Sequence, residues 1–167
     1  MKRFHSVSLA IVLGAALPAI AGQQPSVHIE PSTLQGPRQL QEQTARAAIQ
    51  DYIASWQTMG QALDQNRPEL LDHDFIGSAK DKLADVIKQQ SAAGIHTVYS
   101  DQSHNIQVLF YSPEGLSIEL ADTVQYEAKL LGKDKVLGTQ HVEARYIVVL
   151  TPSEVRWRVR IFQAQSK

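Results

Sequence analysis

The sequence predicts an α+β fold in which N-terminal helices pack on a curved antiparallel sheet of about four strands. Three observations lead there. Apolar residues recur at spacings of three and four from Arg38 to Gln65 and again after Ser78, the period of a helix with one buried face. From Asn105 to Ala164 the pattern changes to alternation of apolar and polar residues, the period of a strand. Ser112-Pro113-Glu114-Gly115, Gly132-Lys133-Asp134-Lys135 and Thr151-Pro152-Ser153-Glu154 divide that half at regular intervals with turn-forming residues.

The chain opens with Lys2 and Arg3, an apolar run from Val7 to Leu17, Pro18, and the small-residue site Ala19-Ile20-Ala21. This is the pattern of an export signal over residues 1–21. The run is shorter than the roughly 20 residues needed to span a bilayer. The expected location is therefore periplasmic or secreted, with no membrane span once the signal is removed. Residues 22–37 carry Pro25, Pro31, Gly36 and Pro37 among Gln, Ser and Thr and read as a flexible linker. Val27 and Ile29 offer the alternative of a short edge strand within it. Residues 38–165 form the single folded domain.

Composition narrows the function classes. Of 16 Lys and Arg residues, Lys2 and Arg3 lie in the signal, so 14 remain against 17 Asp and Glu. A mature net charge near −3 does not fit a nucleic-acid footprint. There is no cysteine, so a domain expected in an oxidising compartment relies on its core rather than disulfides. Its length suffices, because a domain of this size buries roughly two-thirds of its unfolded surface.

Taken in order, the first helix is expected from Arg38 to about Gln65, with Leu40, Ile49, Tyr52, Ile53, Trp56, Met59 and Leu63 as its buried stripe. Asn66-Arg67-Pro68 ends it, since a residue before proline is pushed out of helical geometry. Pro68 to Asp72 is expected as a short helical turn. Asp72-His73-Asp74 then reads as an exposed connection, although a carboxylate beside an imidazole could also move a proton or hold a metal. A second helix starts at Ser78, whose hydroxyl is positioned to cap the amide of Asp81, and Gly94 closes it in a left-handed conformation. Ile95–Ser100 leads into a strand at Ile106–Tyr111. Leu116–Leu131 is the next strand, and Val142–Leu150 and Val155–Ile161 form the last hairpin. Pairing Thr151 with Glu154 places Val148 opposite Trp157, Tyr146 opposite Val159 and Ala144 opposite Ile161, all on the inner face.

Helices followed by long alternating strands, closing on Arg145-Tyr146-Ile147-Val148-Val149-Leu150 and Val155-Arg156-Trp157-Arg158-Val159, resemble the nuclear transport factor 2-like, cystatin-like cone superfamily. The resemblance covers roughly residues 38–165 and rests on architecture. It implies a curved sheet and helices enclosing a cone, in a superfamily that includes isomerases, cyclases, dehydratases and domains that only bind.

The candidate site residues follow from these two readings. An isomerase-type site needs a carboxylate base and a hydrogen-bond donor, and Asp122, with Tyr126 or Tyr52 as donor, is the one set on offer. Asp122 shares its parity with Leu120 and Val124, so a regular strand buries it. A bulge at Ala121–Thr123 that turns it outward is the expected arrangement. Trp56, Tyr126, Tyr146 and Trp157 are the expected pocket wall. Arg156, Arg158 and Arg160 alternate along the last strand and form a face for an anion or an acidic partner, or a solvated surface. His96, His104 and His141 are scattered singly and offer no metal-ligand spacing. No metal or other cofactor is expected. The reading favoured by sequence is an exported, non-catalytic binding domain that holds a small apolar molecule in its concavity or a protein partner on its sheet. The alternative is an isomerase, cyclase or dehydratase with Asp122 as base. Ile147 and Val149 leave the outer face of their strand apolar, which suggests a homodimer through the sheet.

Overall fold

The computed structural model describes residues 24–32, 34, 38–133 and 135–165. The predicted export signal lies outside them. Helix α1 (Glu42–Gln65) and helix α2 (Gly77–Ala92) are joined by a 3₁₀ turn at Pro68–His73. They pack on one sheet of strands β1 (Ser26–Ile29), β2 (Ile95–Tyr111), β3 (Ile118–Gly132), β4 (Lys135–Pro152) and β5 (Trp157–Ala164), in that spatial order. The α+β architecture is as predicted, with five strands rather than about four among the described residues. The added strand is β1, at the Val27–Ile29 alternative, and it runs parallel to β2 with Ser26 opposite Ser103 and Ile29 opposite Ile106.

Helix α1 begins at Glu42 rather than Arg38. Arg38 instead lies over the Tyr111 ring at 5.5 Å, and its guanidinium donates to the Pro113 carbonyl. The α1 stripe of Ile49, Tyr52, Trp56, Met59 and Leu63 is buried, as its spacing requires. The helix ends with Asn66 in the left-handed region at φ 53°, a conformation Asn tolerates better than most residues. The expected Ser78 cap does not form. The helix starts one residue earlier, after extended Ile76, and the Ser78 hydroxyl donates instead to the Arg160 carbonyl at 3.3 Å. Gly94 takes the predicted left-handed conformation, and its N–H donates to the Ser91 carbonyl at 3.0 Å.

The last hairpin turns later than predicted. Ser153 N–H and Oγ both donate to the Arg156 carbonyl, so the tight turn spans Ser153–Arg156 and Pro152 pairs with Trp157. A bulge then places Leu150 opposite Val159 but Val149 opposite Ile161, and the extra residue on β5 is Arg160. That one residue reverses parity. Ile161 faces outward at 39 % exposure, and Phe162, opposite Val148, takes the inner position expected for it.

In the connection between the helices Asp72 and His73 are exposed, as expected, but Asp74 is not. Asp74 is 2 % exposed and accepts from Thr58 Oγ1 and from Arg156 Nη1 at 2.8 Å, with His73 Nδ1 3.0 Å away. Backbone bonds from Ile76 to Val159 and from Val159 to Asp74 bind the same connection to β5. Burial acts to raise the Asp74 carboxyl, but the bonds from Thr58, Arg156 and His73 outweigh it and hold the group below its ordinary value. A depressed carboxyl contributes stability that is complete above its unfolded-state value and is lost as pH falls through the folded-state value. Asp74→Asn is therefore expected to lower stability at neutral pH by about 1.5–3 kcal/mol, the range for hydrogen bonds to charged groups. In thermal melts its deficit relative to the parent should shrink as pH falls below about 4.

Candidate functional site: a buried carboxylate among aromatic rings

Asp122 faces inward. Strand β3 is regular there, with Asp122 opposite Ile106 on one side and Tyr146 on the other. The expected bulge at this position is absent. The irregularities of the sheet fall between Ser100 and Ser103 and between Val108 and Phe110 on β2, between Leu130 and Leu131 near the end of the β3–β4 ladder, and between Val149 and Leu150 within the β4–β5 ladder. The carboxylate is fully buried, and its Oδ2 lies 2.7 Å from the Tyr52 hydroxyl and 2.7 Å from His104 Nδ1. A carboxylate can only accept, so both neighbours donate. His104 therefore carries a ring proton on Nδ1.

Each partner arrives for a local reason. Tyr52 belongs to the buried stripe of α1. His104 reaches the inner face because the irregularity between Ser100 and Ser103 resets the parity of β2, which puts His104, Ile106 and Val108 inside together. Burial, then the negative charge of Asp122, push the Tyr52 phenol well above its ordinary value, while the Trp56 indole acts in the opposite sense. Tyr52 stays protonated and keeps donating. Among the described residues, His104 Nε2, Asp122 Oδ1 and Trp56 Nε1 are buried without a hydrogen-bond partner.

Trp56, 1 % exposed, occupies the centre of the concavity. Its ring lies 5.1 Å from His104, 5.6 Å from Phe162, 5.7 Å from Tyr126 and 5.8 Å from Tyr146, in edge-to-face contacts. Tyr146 and Phe162 stack at 4.5 Å. These are the favoured geometries of aromatic pairs, and together they join Trp56, Tyr126, Tyr146 and Phe162 in one cluster. A cleft of about 330 Å³ opens beside this cluster, between α1 and β2, lined in part by Trp56, Gly60, Tyr99 and Gln102. Trp56 borders both this cleft and His104.

The sequence-derived candidates are distributed unevenly over this arrangement. Asp122 meets Tyr52 but not Tyr126, whose hydroxyl lies 3.4 Å from that of Tyr146. Trp56, Tyr126 and Tyr146 share one cluster. Trp157 stands apart from it, its backbone N–H donating to Asp51. Two of the three arginines are engaged within the chain. Arg156 binds Asp74, and Arg158 donates to the carbonyls of Asp72 and Phe75. Arg160 is exposed on the β5 bulge. His104 was missed by sequence reasoning. The signal available was the register of the β2–β3 hairpin, which sets His104 two residues from the Asp122 partner on the same face.

Two solved structures share this architecture. The intermembrane-space region of the chloroplast protein ARC6 superposes with a TM-score of 0.60 at 13 % identity, over 78 % of this chain and all of that one. A scytalone dehydratase-like protein of Novosphingobium aromaticivorans superposes with a TM-score of 0.52 at 14 % identity, over 75 % of this chain and 89 % of that one. At such identities the likeness establishes the fold. The chain has the nuclear transport factor 2-like cone fold that its helices and strands led us to expect. No family profile and no curated protein sequence matches it. No helix among the described residues is long and apolar enough to cross a membrane.

The buried cluster makes a sharp stability prediction. Asp122→Ala strands two buried donors, each at a cost of about 1–3 kcal/mol, whereas Tyr52→Phe removes one donor and leaves the carboxylate bound to His104. Denaturant titration should rank Asp122→Ala as clearly the more destabilised of the two.

Proposed function

We propose that this protein is an exported, non-catalytic domain that works by binding a protein partner on its surface. The observation that carries this reading is the filled concavity. Trp56 and its ring neighbours occupy the volume a small ligand would need, and the Asp122 and His104 side chains are fully buried behind them. Opening that space would break several ring contacts at once, and removing a buried aromatic side chain typically costs about 3–5 kcal/mol. The export reading rests on the leader pattern of residues 1–21. The match to a chloroplast intermembrane-space region agrees with it, because there too the fold stands in a compartment beyond a membrane. A homodimer through the outer face of Ile147 and Val149 belongs to the same proposal, since both residues are only half-buried in the single chain.

A second reading is favoured by one observation, the Asp122–His104 pair with a free Nε2. Asp122 orients the imidazole, and Nε2, without a hydrogen-bond partner, is the atom of the pair left to exchange a proton. This is the equipment of an isomerase or dehydratase, and the scytalone dehydratase-like neighbour shares its fold. In this reading Asp122 acts through His104 rather than as the base itself. It requires Trp56 to move aside for each substrate.

Native mass spectrometry of the purified protein separates the two. The partner-binding reading expects a mass equal to the polypeptide or its integer multiples, with no retained small molecule. A stoichiometric small-molecule adduct that disappears in Asp122→Asn would overturn it in favour of the enzyme.

A further inference from the structure

We infer that the outer face of the sheet is the seat of a second copy of this chain, held in a twofold dimer by Glu119 of each copy against Arg145 of the other. The inference rests on the partner-binding reading and commits that face to one occupant. Its first support is an apolar row left open to solvent. Cross-strand register sets Phe110, Glu119, Val149 and Ile161 side by side from β2 to β5, with Gln107, Ala121, Ile147 and Gln163 as the next row. Residues directly opposite one another share a face, and these rows alternate with Leu120 and Val148, which are buried in the core with the α1 stripe. Phe110 is 48 % exposed, Ile161 is exposed, and Ile147 and Val149 are half-buried. A contiguous apolar patch of this kind marks an interaction surface.

The described chain leads away from this patch at both ends. Pro25, before β1, lines the cleft beside Val98 and Tyr99, toward the opposite end of β2 from Phe110. After β5 the Gln165 N–H donates to the Arg145 carbonyl, so the chain has already passed the apolar row. Leu34 packs on the core and Arg38 over Tyr111, on the helix side. The second support is charge. Glu119 is half-buried in the apolar row, between Phe110 and Val149, and Arg145 is exposed on the same face of β4, two residues from Ile147. Among the described residues neither side chain has a hydrogen-bond or ion-pair partner. A strand rises about 3.3 Å per residue and neighbouring strands lie about 4.8 Å apart, which puts the two residues about 14 Å apart with their midpoint between Ala121 and Ile147. A twofold axis that exchanges the two positions passes through that midpoint. It sets each Glu119 against Arg145 of the second copy and brings the Ala121 and Ile147 pairs together at the centre, the self-complementarity an isologous contact requires. Ala121, 2 % exposed, is sunk between its neighbours, so two faces can approach closely there.

Sedimentation equilibrium of the purified protein reads the dimer directly. Glu119→Arg and Arg145→Glu should each raise the dimer dissociation constant at least about tenfold, because the pair occurs twice in the dimer and reversal sets like charges face to face. The doubly reversed protein should return to within about threefold of the parent, while Val155→Asp on the exposed hairpin turn should change nothing. Arg145 is exposed, so Arg145→Glu keeps the fold and tests the pair even where Glu119→Arg does not. A chain that stays monomeric at every concentration, with no small molecule retained, would overturn the inference and leave partner binding to another surface. A dimer that ignores both reversals, or whose doubly reversed form is weaker than either single one, would overturn it too. A small-molecule adduct in native mass spectrometry that disappears in Asp122→Asn would instead remove the partner-binding reading beneath it.

Discussion

One carboxylate holds helix and sheet together. Asp122 is fully buried, and a charge taken from water into a protein interior carries a penalty of several kcal/mol unless it is hydrogen-bonded. It finds its two donors on different elements, Tyr52 on α1 and His104 on β2, at 2.7 Å each. The bonds therefore fix the rotation of the helix and its height above the sheet. Any shift of α1 that separated Tyr52 from Asp122 would strand a phenol and weaken the hold on the carboxylate together. Apolar packing supplies most of the stability through the α1 stripe and the inner faces of the strands. Hydrophobic contact is not directional, and the buried bonds select one arrangement among those that packing would tolerate.

The aromatic cluster follows from that placement. With Tyr52 held at Asp122, Trp56 lies one turn further along the same helix face and is driven into the middle of the concavity, where four rings and the His104 imidazole surround it. The same residues that could have made a proton-transfer site thus lie behind a plug of their own neighbours. That burial is the physical basis of the partner-binding reading proposed above, as the His–Asp pair is of the second reading. A cone fold supports either use.

Much of the architecture was legible in sequence because it depends on periodicity. The buried stripe of α1, the alternation of β3 and β4 and the glycine at residue 94 are each local signals. What sequence concealed were single-residue shifts. A bulge on β5 exchanged Ile161 for Phe162 on the inner face, and an irregularity at Ser100–Ser103 brought His104 inside. Neither leaves a mark in composition, since one extra residue in a long strand changes which side chains face inward without changing the residues themselves. Asp122 failed in the opposite direction. A lone acid on an apolar face reads as a reason for a bulge, and only the convergence of Tyr52 and His104, from 70 and 18 residues away in the chain, makes burial tolerable. The role of Asp74 was hidden in the same way, because Arg156 lies 82 residues beyond it.

The central claim is that the interior around His104 is closed, and it can be tested by the chemical reactivity of its imidazole. Diethylpyrocarbonate reacts at an accessible, unprotonated histidine nitrogen, and mass-spectrometric mapping reads each site separately. In the native protein His73 and His141, with side chains 62 % and 87 % exposed, should be modified readily while His104 stays unmodified until the protein unfolds. Modification of native His104 at a rate comparable to His141 would contradict the account, because it would mean that small molecules reach the Asp122 pair and that the concavity is an open site.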